Sequence, residues 1–304
     1  MTLTEPAAPG AIEGSSSSTG GLDIAAARPL RVDVWRRFKR NRLAMVGLAF
    51  VVFLVLVAIF APVIAPFGIS ERSADFRKGP SADHWFGTDG IGRDVFSRVI
   101  YGARVSVRIG FLATAMSLIL GLVLGALAGF FGGFTDTLVM RLTDVFLAIP
   151  YTVLAVAIAT VVGRSINSVI LIIGATGWLG IARIVRASFL SLKRLEYIEA
   201  AHALGFSRAR IIMRHILPNA LQPIIVYGTI AVGSVILTEA ALSFLGVGVQ
   251  EPTPAWGLMV AIGKGSLVNA PHLMFFPGAA IFLTVLAFVF IGDGLRDALD
   301  PKLK

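Results

Sequence analysis

Cysteine is absent from the 304-residue chain, which excludes disulfides, thiol nucleophiles and cysteine-ligated metals. Histidine is nearly absent: His84, His202, His215 and His272 fall on three separate segments with no ligand spacing. Neither HExxH nor GxSxG occurs, so the zinc-protease and serine-hydrolase sites built on those motifs are missing as well. Gly257 to Lys264 superficially suggests a phosphate loop, but its spacing is one residue too long and Gly265 stands where serine or threonine is required. No metal or cofactor is therefore expected on this chain, and any ATP chemistry belongs to a partner. Charge is scarce too, with 15% of residues charged against 56% hydrophobic and a mean hydropathy of +0.82. A soluble core of this length cannot hide that much apolar surface, so the chain is an all-α integral membrane protein.

What charge there is sums to +9, and it is divided among short segments flanking apolar spans. Positive-inside topology accounts for it, and nucleic acid is excluded as a partner. Residues 1–27 are rich in Ala, Gly, Pro and Ser and are read as a disordered cytoplasmic tail without a cleaved signal. In residues 28–42, Leu30, Val34 and Phe38 recur every four positions among basic residues, which predicts an interfacial helix on the anionic leaflet. The alternative, a basic flank without fixed structure, also puts the N-terminus inside.

Residues 43–304 then read as a six-helix transmembrane domain with both termini cytoplasmic. The predicted spans are Leu43 to Ala65, Ile109 to Phe131, Val145 to Gly163, Ser168 to Ile184, Asn219 to Leu245 and Leu273 to Ile291. Residues 66–103 form a charge-balanced outer loop, and the strongly basic stretch after the fourth span returns inside, as parity requires. The second span carries Ala113, Ser117, Gly121, Gly125, Gly129 and Gly133, small residues four apart that allow another helix to approach to backbone contact. This stripe is read as a packing face, ahead of a transport role. Glu239 is the one carboxylate within a span; it is either a structural group bonding its neighbours or a functional one.

The inner loop 187–218 is too long and too ordered for a connector. Glu196 to Leu204 is made of good helix formers, Gly205 supplies a left-handed stop, Ser207 caps a second helix, and Pro218 is expected to end it. Glu199 and His202 lie one turn apart, flanked by the small Ala200, Ala201 and Ala203, as suits a docking face for another protein.

EAAHALG at Glu199 to Gly205, followed by Leu217 and Pro218, resembles the EAA loop of ABC importer permeases, with His215 where the generic motif has isoleucine. HWFGTDGIGRDVFSRVIYGARVSV (His84 to Val107) and LTEAALSFLGVGVQEPTPAWG (Leu237 to Gly257) resemble the dipeptide/oligopeptide/nickel branch, specifically its C-type subunit. The resemblance covers roughly residues 35–300. It implies a type I importer-like permease of the plasma membrane that pairs with a B-type permease, two cytoplasmic ATPase subunits carrying ATP and magnesium, and an extracytoplasmic binding protein. Glu196, Tyr197, Glu199, Ala200, Ala201, His202, Gly205 and Pro218 would couple to one ATPase, and residues 31–42 would form the family's elbow helix. Gly87, Asp89, Arg93, Asp94, Glu239 and Trp256 would belong to the outer gate and the surface that meets the binding protein. Two readings from other classes are weaker. An ion-driven secondary transporter would use Glu239, but lacks internal repeats and a central charge. A membrane enzyme lacks any nucleophile or metal set.

Overall fold

The computed structural model describes residues 30–299, so the expectations for residues 1–27 and for the last five residues lie outside it. Among the described residues every regular element is helical. Helix α1 (Leu30–Arg40) turns at Asn41 into α2 (Arg42–Ile64), where the Asn41 side chain caps the new helix by accepting from the Ala44 amide at 3.1 Å. Phe38 on α1 is buried and Trp35 stacks on it from the exposed side.

The next helix, α3 (Val95–Phe131), is 37 residues long, about 55 Å at the usual rise per residue. It starts well before the predicted span because Asp94 caps it, accepting from the Ser97 amide at 2.7 Å. Residues 95–103, expected in the outer loop, are therefore helical. Helices α4 (Gly133–Ala148) and α5 (Tyr151–Val162) follow, then α6 (Ile166–Leu192). The third predicted span is not one straight rod, because α4 and α5 meet at 93° around Ile149 and Pro150. Proline has no amide hydrogen and drives the residue before it out of the helical region, which breaks the run there.

Beyond α6 come the short α7 (Glu196–Ala203) and α8 (Arg208–Ile211), the long α9 (Leu217–Phe244), α10 (Trp256–Gly263) and α11 (His272–Leu299). Five helices, α2, α3, α6, α9 with the turns leading into it, and α11, are long and apolar enough to cross a membrane, and the α4–α5 pair is a sixth candidate by composition. Their outward faces are apolar, with Phe53, Val63, Val161 and Phe282 more than half exposed. Lipid is the solvent that fits such a surface.

The backbone of the bundle is the contact between α3 and α6. A Cβ added at Gly121 would stand 2.6 Å from Ile181 Cβ; at Gly125, 2.5 Å from the Ala182 carbonyl; at Gly129, 2.7 Å from Phe189 Cβ. From the other side, a Cβ at Gly174 would meet Met116. Positions rise together along both helices, so α3 and α6 run parallel. The chain between them must come back, and it does so along α6: Val139 of α4 joins the cluster of Leu179 and Ala182, while Ala155 and Ala159 of α5 pack with Val169 and Ile172. The α3 end at Phe131, the α6 end at Leu192 and α7 thus share one end of the bundle, and residues 65–94, 245–255 and 264–271 share the other.

Gly125→Val should lower unfolding stability in detergent by about 2 kcal/mol or more, because the Ala182 carbonyl is backbone and can yield only if the helices part. Gly278, with nothing within 4 Å of an added Cβ, is the control, and Gly278→Ala should be neutral. Equal thermal midpoints for the two variants would contradict this packing.

Candidate functional site

At the α7 end, Leu195 takes an extended conformation that stops α6 and lets the chain restart at Glu196. Ile198 and Ala201, three apart, point inward and share a cluster with Phe130, Val185, Phe189, Ile211, Ile216, Ala220 and Ile224. The helix ends in a Schellman motif. Gly205 has φ +75°, its amide donates to the His202 carbonyl at 3.0 Å, and the Phe206 amide donates to the Ala201 carbonyl at 3.1 Å. Ser207 then caps α8, accepting from the Arg210 amide. Phe206 stacks on His215 and lies under the Arg210 guanidinium.

Pro218 does not end this second helix. The Leu217 amide bonds to the Ile212 carbonyl five residues back, so residues 212–216 form a wide π turn and α9 continues straight through the proline. A regular turn would press the Pro218 ring on the carbonyl four residues earlier, and widening the turn removes that collision. A second departure concerns Ala201. Expected on the docking face, it is buried, because the same three-residue spacing that aligns it with Ile198 turns it into the core.

The remaining residues singled out here, Glu196, Tyr197, Glu199, Ala200, His202, Gly205 and Pro218, are exposed. His202 leans on the Phe130 ring, and the Tyr197 hydroxyl accepts from Asn219 at 3.4 Å. Around them stand Leu204, 75% exposed, and Met213, 63% exposed, with Leu195. The result is a mixed polar and apolar surface on a rigid base, carrying both acidic residues of the first turn. Arg186 forks onto Asp136 and Arg183 reaches Asp144 at 2.8 Å, tying α4 to α6 nearby.

At the opposite end, residues 66–94 fold as a cap on the start of α3. Gly87, at φ +77°, sits so close to the Lys78 carbonyl and to His272 that no side chain fits. Asp89 accepts from the amides of Ile91 and Arg93 and from the Arg93 side chain at 2.6 Å. Asp94, besides capping α3, binds His84 Nδ1 at 2.9 Å. Arg93 and Arg98 both grip Glu251, the latter at 2.8 Å, across about 150 residues of sequence. Burial lowers the Arg93 pKa, but the bonds to Glu251 and Asp89 outweigh it and leave it raised, so this cation is permanent. Trp256 inserts beneath, its indole N–H donating to the Val99 carbonyl at 2.9 Å and its amide to Ser106 Oγ.

The two outer motifs are thus joined through Glu251, a residue not singled out from the sequence, together with Arg98 and His84. The only hint was charge balance: paired charges of both signs in a loop of an otherwise uncharged chain. Glu239 stays apart from this cluster. It is 1% exposed on α9, with Oε1 accepting from Ser243 Oγ at 2.7 Å and Oε2 without a partner among the described residues.

Residues 121–304 match the family model described as the binding-protein-dependent transport system inner membrane component, and residues 30–80 match the N-terminal transmembrane domain of oligopeptide transport permease C. The chain is 44% identical over 273 residues to the dipeptide transport system permease protein DppC of Alkalihalophilus pseudofirmus, covering 90% of each. It is 46% identical over 275 residues to the glutathione transport system permease protein GsiD of Escherichia coli O6:K15:H31, again covering 90% of each. Among solved structures, the inward-facing MetNI methionine ABC transporter shares the fold with a TM-score of 0.56 at 20% identity, over 67% of this chain and 97% of that one.

The clamp on Glu251 gives a double-mutant cycle. Arg98→Met and Glu251→Gln should show a coupling energy of about 1–2 kcal/mol in denaturant unfolding, modest because Glu251 keeps 38% of its side chain in solvent. Additive effects would show that the pair contributes nothing.

Proposed function

The chain belongs to the family of binding-protein-dependent transport system inner membrane components, and on that premise we propose that it is one permease half of an ATP-driven peptide importer of the plasma membrane. The other half is a B-type permease, two cytoplasmic ATPase subunits hold ATP and magnesium, and an extracytoplasmic protein delivers cargo. In this reading α4 and α5 together make the sixth crossing, both termini are cytoplasmic, the α7 end faces the ATPases, and the cap of residues 66–94 faces outward.

The observation that carries the reading is the seating of α7. Its inward residues are packed on α6 and α9 together while its outward residues Glu196, Tyr197, Glu199, Ala200 and His202 stay exposed. A push on that surface is passed to two long helices at once. Motion of the ATPase dimer would displace α7 as a rigid body, swing α6 and α9 against the partner permease and expose the pathway to the outside. Hydrolysis would reverse it. At the outer end, the cap and the segment 245–255, held together by Arg93, Arg98 and Glu251, act as one body that meets the binding protein and closes the gate. The peptide class rests on the dipeptide and glutathione permeases among the relatives.

The lever can be tested at Gly205, where an added side chain meets no atom within 4 Å and the cost is purely conformational. Gly205→Val should cost about 1–2 kcal/mol at the left-handed position and uncouple or disassemble the reconstituted complex, whereas Gly205→Asn, which tolerates that conformation, should be mild. Normal assembly, cargo-stimulated ATPase and uptake in the valine variant would rule the lever out.

A further inference from the structure

A groove of about 240 Å³ opens between α6 and α9, floored by α3 and rimmed by Tyr151 of α5. Its polar lining is made of hydroxyls alone: Thr114 and Ser117 from α3, Tyr151, and Tyr227, Ser234 and Thr238 from α9. No acid, lysine, arginine or histidine lines it. Tyr227, Ser234 and Thr238 are seven and four residues apart, so they form one stripe along α9. Three of the hydroxyls are already committed as donors, Ser117 to the Gly174 carbonyl at 3.1 Å, Ser234 to the Ile230 carbonyl at 3.5 Å and Thr238 to the Ser234 carbonyl at 2.8 Å, which leaves their oxygens free to accept.

Thr114 is the exception. It is 3% exposed, lines the groove, and its Oγ1 has no hydrogen-bond partner among the described residues. A buried hydroxyl left unpaired in a helix bundle costs on the order of 1–3 kcal/mol, and a simple packing role would be filled as well by valine, its near-isostere. The volume is enough for a short run of peptide backbone, or for roughly eight waters at about 30 Å³ each.

The chemistry of the lining selects its ligand. With no charge in the wall, a carboxylate or ammonium inside would go uncompensated in a low-dielectric span. A neutral amide is served well, since a hydroxyl can accept from its N–H or donate to its C=O. Resting on the importer reading above, we propose that Thr114, with Ser234 and Thr238, forms a contact subsite whose hydroxyl oxygens accept from the backbone N–H groups of peptide cargo in transit. The subsite reads the backbone that all peptides share.

The test uses the complete transporter in proteoliposomes and radiolabelled trialanine delivered by its binding protein. Thr114→Val should reduce ATP-driven uptake about five- to tenfold, the scale of one lost hydrogen bond. Thr114→Ser, which keeps the hydroxyl, should restore it. The ratio of variant to unsubstituted uptake is then compared for trialanine with both amides N-methylated, which has lost those N–H donors; here the ratio should move toward unity. Ser234→Ala should follow the same pattern more weakly. Uptake of trialanine indifferent to Thr114→Val, or an equal loss for both cargoes, overturns the subsite alone. Absence of ATP-driven peptide uptake by the unsubstituted complex overturns the importer reading and the subsite with it.

Discussion

Helices in lipid gain nothing from hiding apolar side chains from one another, since the acyl chains are equally apolar, and must be held by close contact instead. The approach of α3 to α6 through Gly121, Gly125 and Gly129 is that contact. Everything else is placed relative to it. Because the two helices run parallel, the intervening chain has to travel back, and because α3 is so long, one end of it reaches the cap while the other reaches Phe130 beside α7. Shifting this one register by a turn would misalign both ends of the molecule.

The two ends are built on opposite physical terms. At the α7 end the interior is apolar and the surface is left unmatched, with Leu204 and Met213 in the open. A helix of eight residues has little stability of its own, so the Schellman turn at Gly205 and the apolar seat under Ile198 hold it in place. At the other end the interior carries charge: Arg93, Arg98, Asp89, Asp94 and His84 are all buried and all paired. Such pairs add little net stability, since desolvation consumes much of the attraction, but they are demanding of geometry. They hold the cap and the segment after α9 in one relative position. Between the ends the span interior avoids charge apart from Glu239 and relies on hydroxyls, the polar groups that cost least to bury.

Much of this was legible from local pattern. Hydropathy and charge asymmetry identify a multi-pass membrane protein, small residues at four-residue spacing mark the face of α3 that meets α6, and Gly205 with Ser207 sets the corner between α7 and α8. Each depends on residues within a few turns of one another. The break at Ile149 and Pro150 and the passage of α9 through Pro218 were less legible, because proline states only that a regular turn cannot persist. Whether the chain breaks, as between α4 and α5, or widens, as at residues 212–216, depends on what packs around it.

By itself, then, the sequence determined the solvent, the helices and the identity of the family, since these follow from composition, periodicity and contiguous motifs. Only the tertiary structure decided the partners. It brought Glu251 to Arg93 and Arg98, turned Ala201 inward while leaving Ala200 and His202 outside, set α3 parallel to α6, and left the Thr114 hydroxyl alone in a groove. These are relations between helices far apart in the chain, and no spacing along a single helix encodes which neighbour it will meet.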